Sequence, residues 1–137
     1  MGKDTVILLN VDPCDLESYT FVNMTTSGSG SGERFNAEVN PGKKVIWIGG
    51  FMDSEKCEPS SADFVNIIAV VKKGGANLLK KEVYYGNGTI TAHIKDWKES
   101  ADIKEKEQEE YFITYCAQYQ GKYMLKTIDP MLELHKK

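Results

Sequence analysis

The stretch Tyr111-Phe-Ile-Thr-Tyr-Cys-Ala-Gln-Tyr-Gln-Gly-Lys-Tyr-Met124 decides our prediction of the fold. It begins with aromatic and β-branched residues, the composition typical of a β-strand. Gln120-Gly121 predicts a tight turn, after which Tyr123-Met124-Leu125 resumes the strand pattern. Cys116 and Met124 carry a thiol and a thioether, the soft ligands that copper prefers. We therefore expect a β-hairpin that carries a candidate metal site.

Similar short apolar and β-branched runs, separated by turn residues, recur along the whole chain. They cover residues 5–11, 19–25, 35–39, 45–48, 64–71, 81–85, 89–94, 111–116, 123–128 and 131–134. Gly86-Asn87-Gly88 predicts a hairpin turn between two of them. We count these ten runs as about eight strands, and at this spacing they predict an all-β fold, an antiparallel Greek-key β-sandwich formed by a single domain over residues 1–137. An immunoglobulin-like sandwich is the alternative.

Two segments interrupt the strand pattern. The Ser-Gly tract at 27–32 predicts a flexible loop, either natural or engineered. Residues 96–110 are rich in Lys and Glu, and we interpret them as an insertion that forms a short helix or a charged loop. Pro130 places the last strand at an edge of the sheet or at a bulge.

Composition narrows the classes of partner. The chain has 137 residues, of which 41% are hydrophobic and 27% charged, and its net charge is −3. This small, evenly spread charge does not favour nucleic acid, and no apolar run is long enough to span a membrane. The expected partner is a protein or a small ligand, and a monomer is our starting assumption for the oligomeric state.

The three cysteines bear on the compartment. The chain opens Met1-Gly2-Lys3-Asp4 without an apolar segment, so the protein is either cytoplasmic or exported with its signal peptide absent from this sequence. We favour a periplasmic or secreted protein. In that case Cys14 and Cys57, which lie in polar, Pro-containing loops, are the preferred disulfide pair, and Cys116 remains a free thiol. In the alternative, all three are reduced.

The 111–124 stretch resembles the copper-binding loop of the plastocyanin-type cupredoxins, because Tyr-Cys, Gln-Gly and a Met eight residues after the Cys are in register. The resemblance implies a cupredoxin-like sandwich with Cys116 and Met124 as copper ligands. Tyr119, however, occupies the usual position of the loop histidine, and the chain holds only His93 and His135. We therefore expect the scaffold without a type-1 copper site and without another cofactor, and copper remains the alternative.

Strand alternation divides the C-terminal aromatic residues between two faces. It places Tyr111, Ile113 and Tyr115 on one face and Phe112, Thr114 and Cys116 on the other. One face must be core, so about half of the tyrosines are structural and the rest can form a binding platform.

The leading functional prediction is a non-enzymatic, extracytoplasmic binding or accessory domain. One alternative is an electron-transfer or copper-handling protein that uses Cys116 and Met124 in a non-standard site. Another is an enzyme in which His93 activates Cys116.

Overall fold

The computed structural model describes residues 2–25, 29–30 and 35–135, without the side chains of residues 29–30. Every regular element in these ranges is a β-strand. The strands are β1 (Thr5–Asp12), β2 (Asp15–Asn23), β3 (Ser29–Gly30), β4 (Asn36–Val39), β5 (Lys44–Phe51), β6 (Phe64–Gly75), β7 (Val83–His93), β8 (Gln108–Tyr119), β9 (Lys122–Ile128) and β10 (Met131–Leu134). The prediction of an all-β fold is confirmed.

All ten strands belong to one mixed sheet, in the order β3-β2-β1-β5-β7-β6-β8-β10-β4, with β9 paired to β8. The sheet curls until it nearly closes into a barrel. On one side of the gap Tyr115 donates a hydrogen bond to the Leu16 carbonyl at 3.1 Å. On the other side Thr5 donates to the Glu38 carbonyl at 2.9 Å. Closure of this kind protects the edges that an open sheet would expose.

The finer prediction of an antiparallel Greek-key sandwich is not confirmed. Two ladders, β1–β5 and β4–β10, are parallel. Pairing partners are set by tertiary packing, which the pattern of a single strand does not encode. The last strand also differs from its predicted edge position, because β10 pairs with β8 on one side and with β4 on the other.

The barrel interior is filled by alternating side chains from all the long strands. Trp47 of β5 and Tyr111 of β8 are among its largest fully buried residues. The Trp47 indole donates a hydrogen bond to the Tyr111 hydroxyl at 3.0 Å, and the ring centroids are 5.3 Å apart. Their contact joins strands that are not neighbours in the sheet.

The predicted hairpin at 81–94 is wrong, because Val83–His93 forms one continuous strand. Its first half pairs with β6 and its second half with β5. Between the halves the register shifts, and Gly88 adopts a φ of +114°, which a residue with a side chain rarely does. The Gly-Asn-Gly sequence therefore forms a bulge that redirects a strand and not a turn that ends one.

The fourth predicted run, residues 45–48, ends too early, since β5 continues through Gly49 and Gly50 to Phe51. A Cβ at Gly49 would lie 2.5 Å from the Val65 carbonyl oxygen, so this glycine permits close approach of two strands.

Residues 97–107 form turns and not the short helix we considered, which leaves the charged-loop interpretation of the insertion. The predicted Ser-Gly loop at 27–32 lies outside the described residues, apart from Ser29–Gly30, which pairs with β2.

Candidate functional site

The candidate site is the solvent side of strands β7, β6, β8 and β9, which we call the outer face. The predicted alternation of β8 is confirmed, because Tyr111, Ile113 and Tyr115 are buried in the barrel while Phe112 and Thr114 point outward. Tyr84 and Tyr119 are also buried, whereas Tyr85 and Tyr123 are exposed. The division of the tyrosines into structural and exposed groups is therefore observed.

Strand register arranges the outer face in four cross-strand rows. From one end to the other they are Val83–Val71–Phe112, Tyr85–Ala69–Thr114–Thr127, Asn66–Cys116–Leu125 and Phe64–Gln118–Tyr123. Neighbours in a row have Cβ atoms about 4.5–5.5 Å apart, so the side chains form a continuous surface. No charged residue lies in these rows.

The outer face concentrates exposed apolar surface. Tyr85 is 81% exposed, Leu125 61% and Tyr123 60%, and Phe112 is also exposed. Seven large hydrophobic side chains are exposed among the described residues, and four of them lie on this face. Exposed apolar residues that cluster on one face mark interaction sites more often than scattered ones do.

A charged cluster borders the Phe112 end of the outer face. Lys73 forms ion pairs with Glu110 at 3.2 Å and Asp129 at 2.8 Å, and its ammonium lies 5.5 Å from the centre of the Phe112 ring. These groups are partly exposed, so they contribute little to stability. Positive and negative side chains therefore lie at the border of the outer face, and its central rows are uncharged.

The structure does not bring the two predicted sulfur ligands together. In the β8–β9 hairpin Cys116 lies opposite Leu125 and Met124 lies opposite Ala117. Because paired residues share a face and adjacent residues do not, Cys116 points outward and Met124 toward the barrel. Cys116 is a buried free thiol, and its hydrogen bond with Tyr123 raises the pKa of that tyrosine hydroxyl.

The other predicted ligands are equally dispersed. Tyr119 is buried, with its ring edge-on to Phe51 at 6.4 Å. His93 is exposed near the end of β7, and β6 lies between β7 and the strand that carries Cys116. The Nδ1 atom of His135 lies 3.6 Å from Oε1 of Glu105. The predicted thiolate–imidazole pair of Cys116 and His93 therefore has no geometric support. Among the described residues no cluster of three or more His, Cys, Asp or Glu could hold a metal.

The preferred disulfide is confirmed, because Cys14 and Cys57 are bonded with a Cα–Cα distance of 5.4 Å. It joins the turn between β1 and β2 to the long loop that follows β5. Ser54 supports the link, since its hydroxyl accepts a hydrogen bond from the Cys57 amide at 3.2 Å. The disulfide thus links these two segments covalently at one end of the barrel.

A second polar feature lies inside the other end of the barrel. Glu109 of β8 is only 1% exposed, and its Oε1 accepts hydrogen bonds from the amides of Leu78 and Leu79 at 2.5 and 3.1 Å. Burial raises the pKa of this carboxyl, although the two amides and the nearby Lys72 and Lys95 oppose the shift. The carboxylate anchors the segment between β6 and β7.

Glu109→Gln should change how stability depends on pH. Because the folded-state pKa of Glu109 is raised above its ordinary value, the folded chain holds this proton more tightly than the unfolded chain. The stability that Glu109 gains from this tighter proton binding is fully present below the unfolded-state pKa and is lost as pH rises through the folded-state pKa. Wild type should therefore lose stability relative to Glu109→Gln over that window.

Urea unfolding of both proteins at a series of pH values measures this difference. Lys72, Lys95, Glu82 and Tyr111 surround Glu109 and are unchanged in the variant, so the difference isolates one carboxyl. If the stability of wild type minus that of Glu109→Gln stays constant or increases as pH rises, the raised pKa of Glu109 is contradicted.

Comparison with known proteins identifies a related fold. The crystal structure of inclusion body protein PixA from Burkholderia cenocepacia J2315 matches 99% of this chain, and the match spans 96% of that chain, with a TM-score of 0.51 and 12% identity. At this identity the match shows the fold alone. No protein-family model and no curated protein match the sequence.

The resemblance to plastocyanin-type cupredoxins is therefore wrong. The structural match is to an inclusion body protein, and the described residues do not assemble the copper ligands that the resemblance implied. The shared letters of the 111–124 stretch reflect a strand, a tight turn and a second strand, which many β-hairpins contain.

No helix among the described residues has the length and apolar character needed to cross a membrane.

Proposed function

We propose that this protein is a non-enzymatic, extracytoplasmic binding module whose outer face binds a second copy of the same chain. The observation that carries the proposal is the concentration of Tyr85, Phe112, Tyr123 and Leu125 on one sheet face without charged residues in its rows. Burying this surface against another protein would remove it from water, which is the main driving force for association.

A second copy suits the chemistry of the face. In a two-fold dimer the same patch meets itself, so a charged patch would repel its own copy. The four rows contain only apolar and neutral polar side chains, and self-contact costs no like-charge repulsion. Flat sheet faces pack about 10 Å apart with interdigitating side chains. The exposed Tyr123 and Leu125 can supply such contacts.

The size of the face sets the expected strength. Four strands at about 4.8 Å spacing are roughly 14 Å wide, and the span from Phe112 to Gln118 is roughly 20 Å long. Each copy would therefore contribute about 300 Å² of flat area, which is less than half of what a standard stable interface buries on each side. We expect a weak, concentration-dependent dimer with a dissociation constant in the micromolar range or above.

Two further observations support the proposal. The structurally similar Burkholderia cenocepacia protein is described as an inclusion body protein, and we take that description as support for self-association of this chain. The Cys14–Cys57 disulfide favours a periplasmic or secreted location, because disulfides persist in oxidising compartments.

Leu125→Asp tests the proposal, with Met24→Asp as a matched control. Leu125 and Met24 are 61% and 58% exposed, but only Leu125 lies on the outer face. An aspartate at position 125 would be buried opposite the second copy, so we expect the dimer to weaken at least about tenfold, or 1.4 kcal/mol. Sedimentation equilibrium over a wide concentration range measures the constant, and circular dichroism confirms the fold.

Three results would overturn the proposal. Wild type could remain monomeric at every concentration, the two variants could weaken association equally, or Leu125→Asp could associate as wild type does. The last result would move the interface to another surface.

A further inference from the structure

Residues 53–59, which we call the strap, form the middle of the loop after β5 and contain no large apolar side chain. The loop is anchored on both sides of the strap. Before it, the Met52 amide donates a hydrogen bond to the Val11 carbonyl at 2.8 Å. After it, the Asp63 carboxylate accepts one from the Gln120 amide at 3.0 Å. The strap itself has no comparable backbone anchor among the described residues.

One covalent bond holds the strap against the barrel. Cys57 is joined to Cys14 in the β1–β2 turn, and the Ser54 hydroxyl lies 3.5 Å from Cys14 Sγ. Within the part of the chain that the structure describes, no other hydrogen bond and no ion pair connects the strap to the barrel. Cys14 is exposed, and exposed disulfides are more easily reduced than buried ones. A thiol in solution therefore has access to the bond that fixes the strap.

The two segments that this disulfide joins carry charge of the same sign. The strap bears three carboxylates and one ammonium group, and the turn bears two carboxylates. These residues are Asp53, Glu55, Lys56 and Glu58 in the strap and Asp12 and Asp15 in the turn. Lys126 binds the backbone carbonyl of Glu17, next to the turn, but the Glu17 carboxylate offsets its charge. Because like charges repel, the disulfide holds together two segments that would otherwise move apart.

The strap also covers apolar side chains at this end of the barrel. A cavity of about 380 Å³ is lined by strap residues and by Phe51 and Met52, which are half-buried. Phe51 meets the buried ring of Tyr119 edge-on, with ring centroids 6.4 Å apart. Movement of the strap away from the turn would open this cavity and expose more of Phe51 and Met52.

We propose that the Cys14–Cys57 disulfide is a redox-sensitive latch whose reduction releases the strap while the barrel remains folded. One thiolate of a small dithiol attacks a sulfur of the bond, forming a mixed disulfide, and the other cysteine leaves as a thiolate that takes a proton. The second thiol of the reagent then displaces the first cysteine. The chain thereby gains two thiols, and the dithiol becomes a cyclic disulfide. Repulsion between the strap and the turn then separates them.

The latch does not depend on the proposed dimer, because the strap lies outside the rows of the outer face. In the oxidising compartment that we propose for this protein the latch is closed. It opens where a dithiol reductant reaches the folded chain.

Reduction of the native chain tests whether the bond is accessible. Folded wild-type protein is treated with dithiothreitol and then with iodoacetamide, and the labelled cysteines are identified by mass spectrometry. We expect Cys14 and Cys57 to be labelled and Cys116, which is buried, to react at least about tenfold more slowly. No label on Cys14 and Cys57, or equal labelling of all three, would overturn the proposal, since the second result requires an unfolded barrel.

Trypsin cleavage after Lys56 measures release of the strap. Cys14→Ser removes the link without changing the cleavage site, and Cys116→Ser removes a thiol but keeps the link. We expect cleavage at Lys56 to be at least about tenfold faster in Cys14→Ser than in the other two proteins, because proteolysis requires a locally opened chain. Lys126 lies within β9 and reports unfolding of the barrel. Equal Lys56 rates in Cys14→Ser and wild type, or equal acceleration at both lysines, would overturn the proposal.

Two aspartates test the role of charge in the release. Asp15→Asn removes a charge from the turn and keeps the side-chain oxygen that accepts the Glu17 amide. Asp102→Asn removes the same charge from the exposed charged loop. In the Cys14→Ser background, Asp15→Asn should slow cleavage at Lys56 at least about twofold, the size of one exposed charge interaction. Asp102→Asn should leave the rate unchanged, and equal rates in the two variants would overturn the charge-driven release.

Discussion

Trp47→Ala should reduce the free energy of unfolding by about 3–5 kcal/mol, the cost of removing a large aromatic side chain from a packed core. Trp47 is fully buried inside the barrel, where its indole contacts Tyr111 and donates a hydrogen bond to the tyrosine hydroxyl. Truncation leaves a cavity between β5 and β8, which no ladder holds together. Urea unfolding followed by circular dichroism measures the loss.

Trp97→Ala is the matched control, because Trp97 lies in the charged loop and is 53% exposed. We expect a change of about 0.5 kcal/mol, the usual range for surface substitutions. Tyr111→Phe isolates the hydrogen bond, since it leaves the buried Trp47 N–H without its acceptor at a cost of about 1–3 kcal/mol. Similar losses for Trp47→Ala and Trp97→Ala would contradict the assignment of Trp47 to the centre of the core.

The β-strand content could be predicted from sequence because short apolar runs rich in β-branched residues and bounded by turn residues are typical of strands. Residues 5–11 and 64–71 are such runs, and both are strands. The parallel pairing of β1 with β5 could not be predicted, since neither strand encodes its partner. The Gly86–Gly88 bulge was missed because the same residues serve turns and bulges.

The failure of the copper prediction was decidable from the quoted stretch itself. A two-residue turn at Gln120-Gly121 pairs Tyr119 with Lys122, and counting outward pairs Cys116 with Leu125. Met124 must then point to the opposite face. This parity excludes a metal ion bound by both of these side chains.

The outer face and the buried Glu109 differ in how far the sequence alone predicts them. The alternation of β8 predicts which of its side chains point outward. It does not predict that β6 and β9 flank β8 and extend this surface. Glu109 shares the parity of Tyr111 and Ile113, so the same alternation indicates an inward carboxylate. Its contact with the Leu78 and Leu79 amides depends on the position of the segment before β7, which no local sequence pattern specifies.

Replacing both Cys14 and Cys57 by serine should cost about 4 kcal/mol, the value that the chain-entropy relation gives for a sequence separation of 43. The disulfide connects the β1–β2 turn to the loop after β5, and without it the unfolded chain gains the freedom of that whole loop. Urea unfolding without reductant measures the difference. Wild type in strong reductant should lose a similar amount.

Cys116→Ser provides the control, because it also removes a thiol but leaves the cross-link intact. Thiol titration of the denatured wild-type chain should find one reactive group, Cys116, if the disulfide forms in the cell. Three reactive groups together with a stability loss below about 1 kcal/mol for the double variant would contradict a structural disulfide. The same result would remove the main support for an oxidising compartment, whereas one group and a large loss would strengthen the proposed extracytoplasmic location.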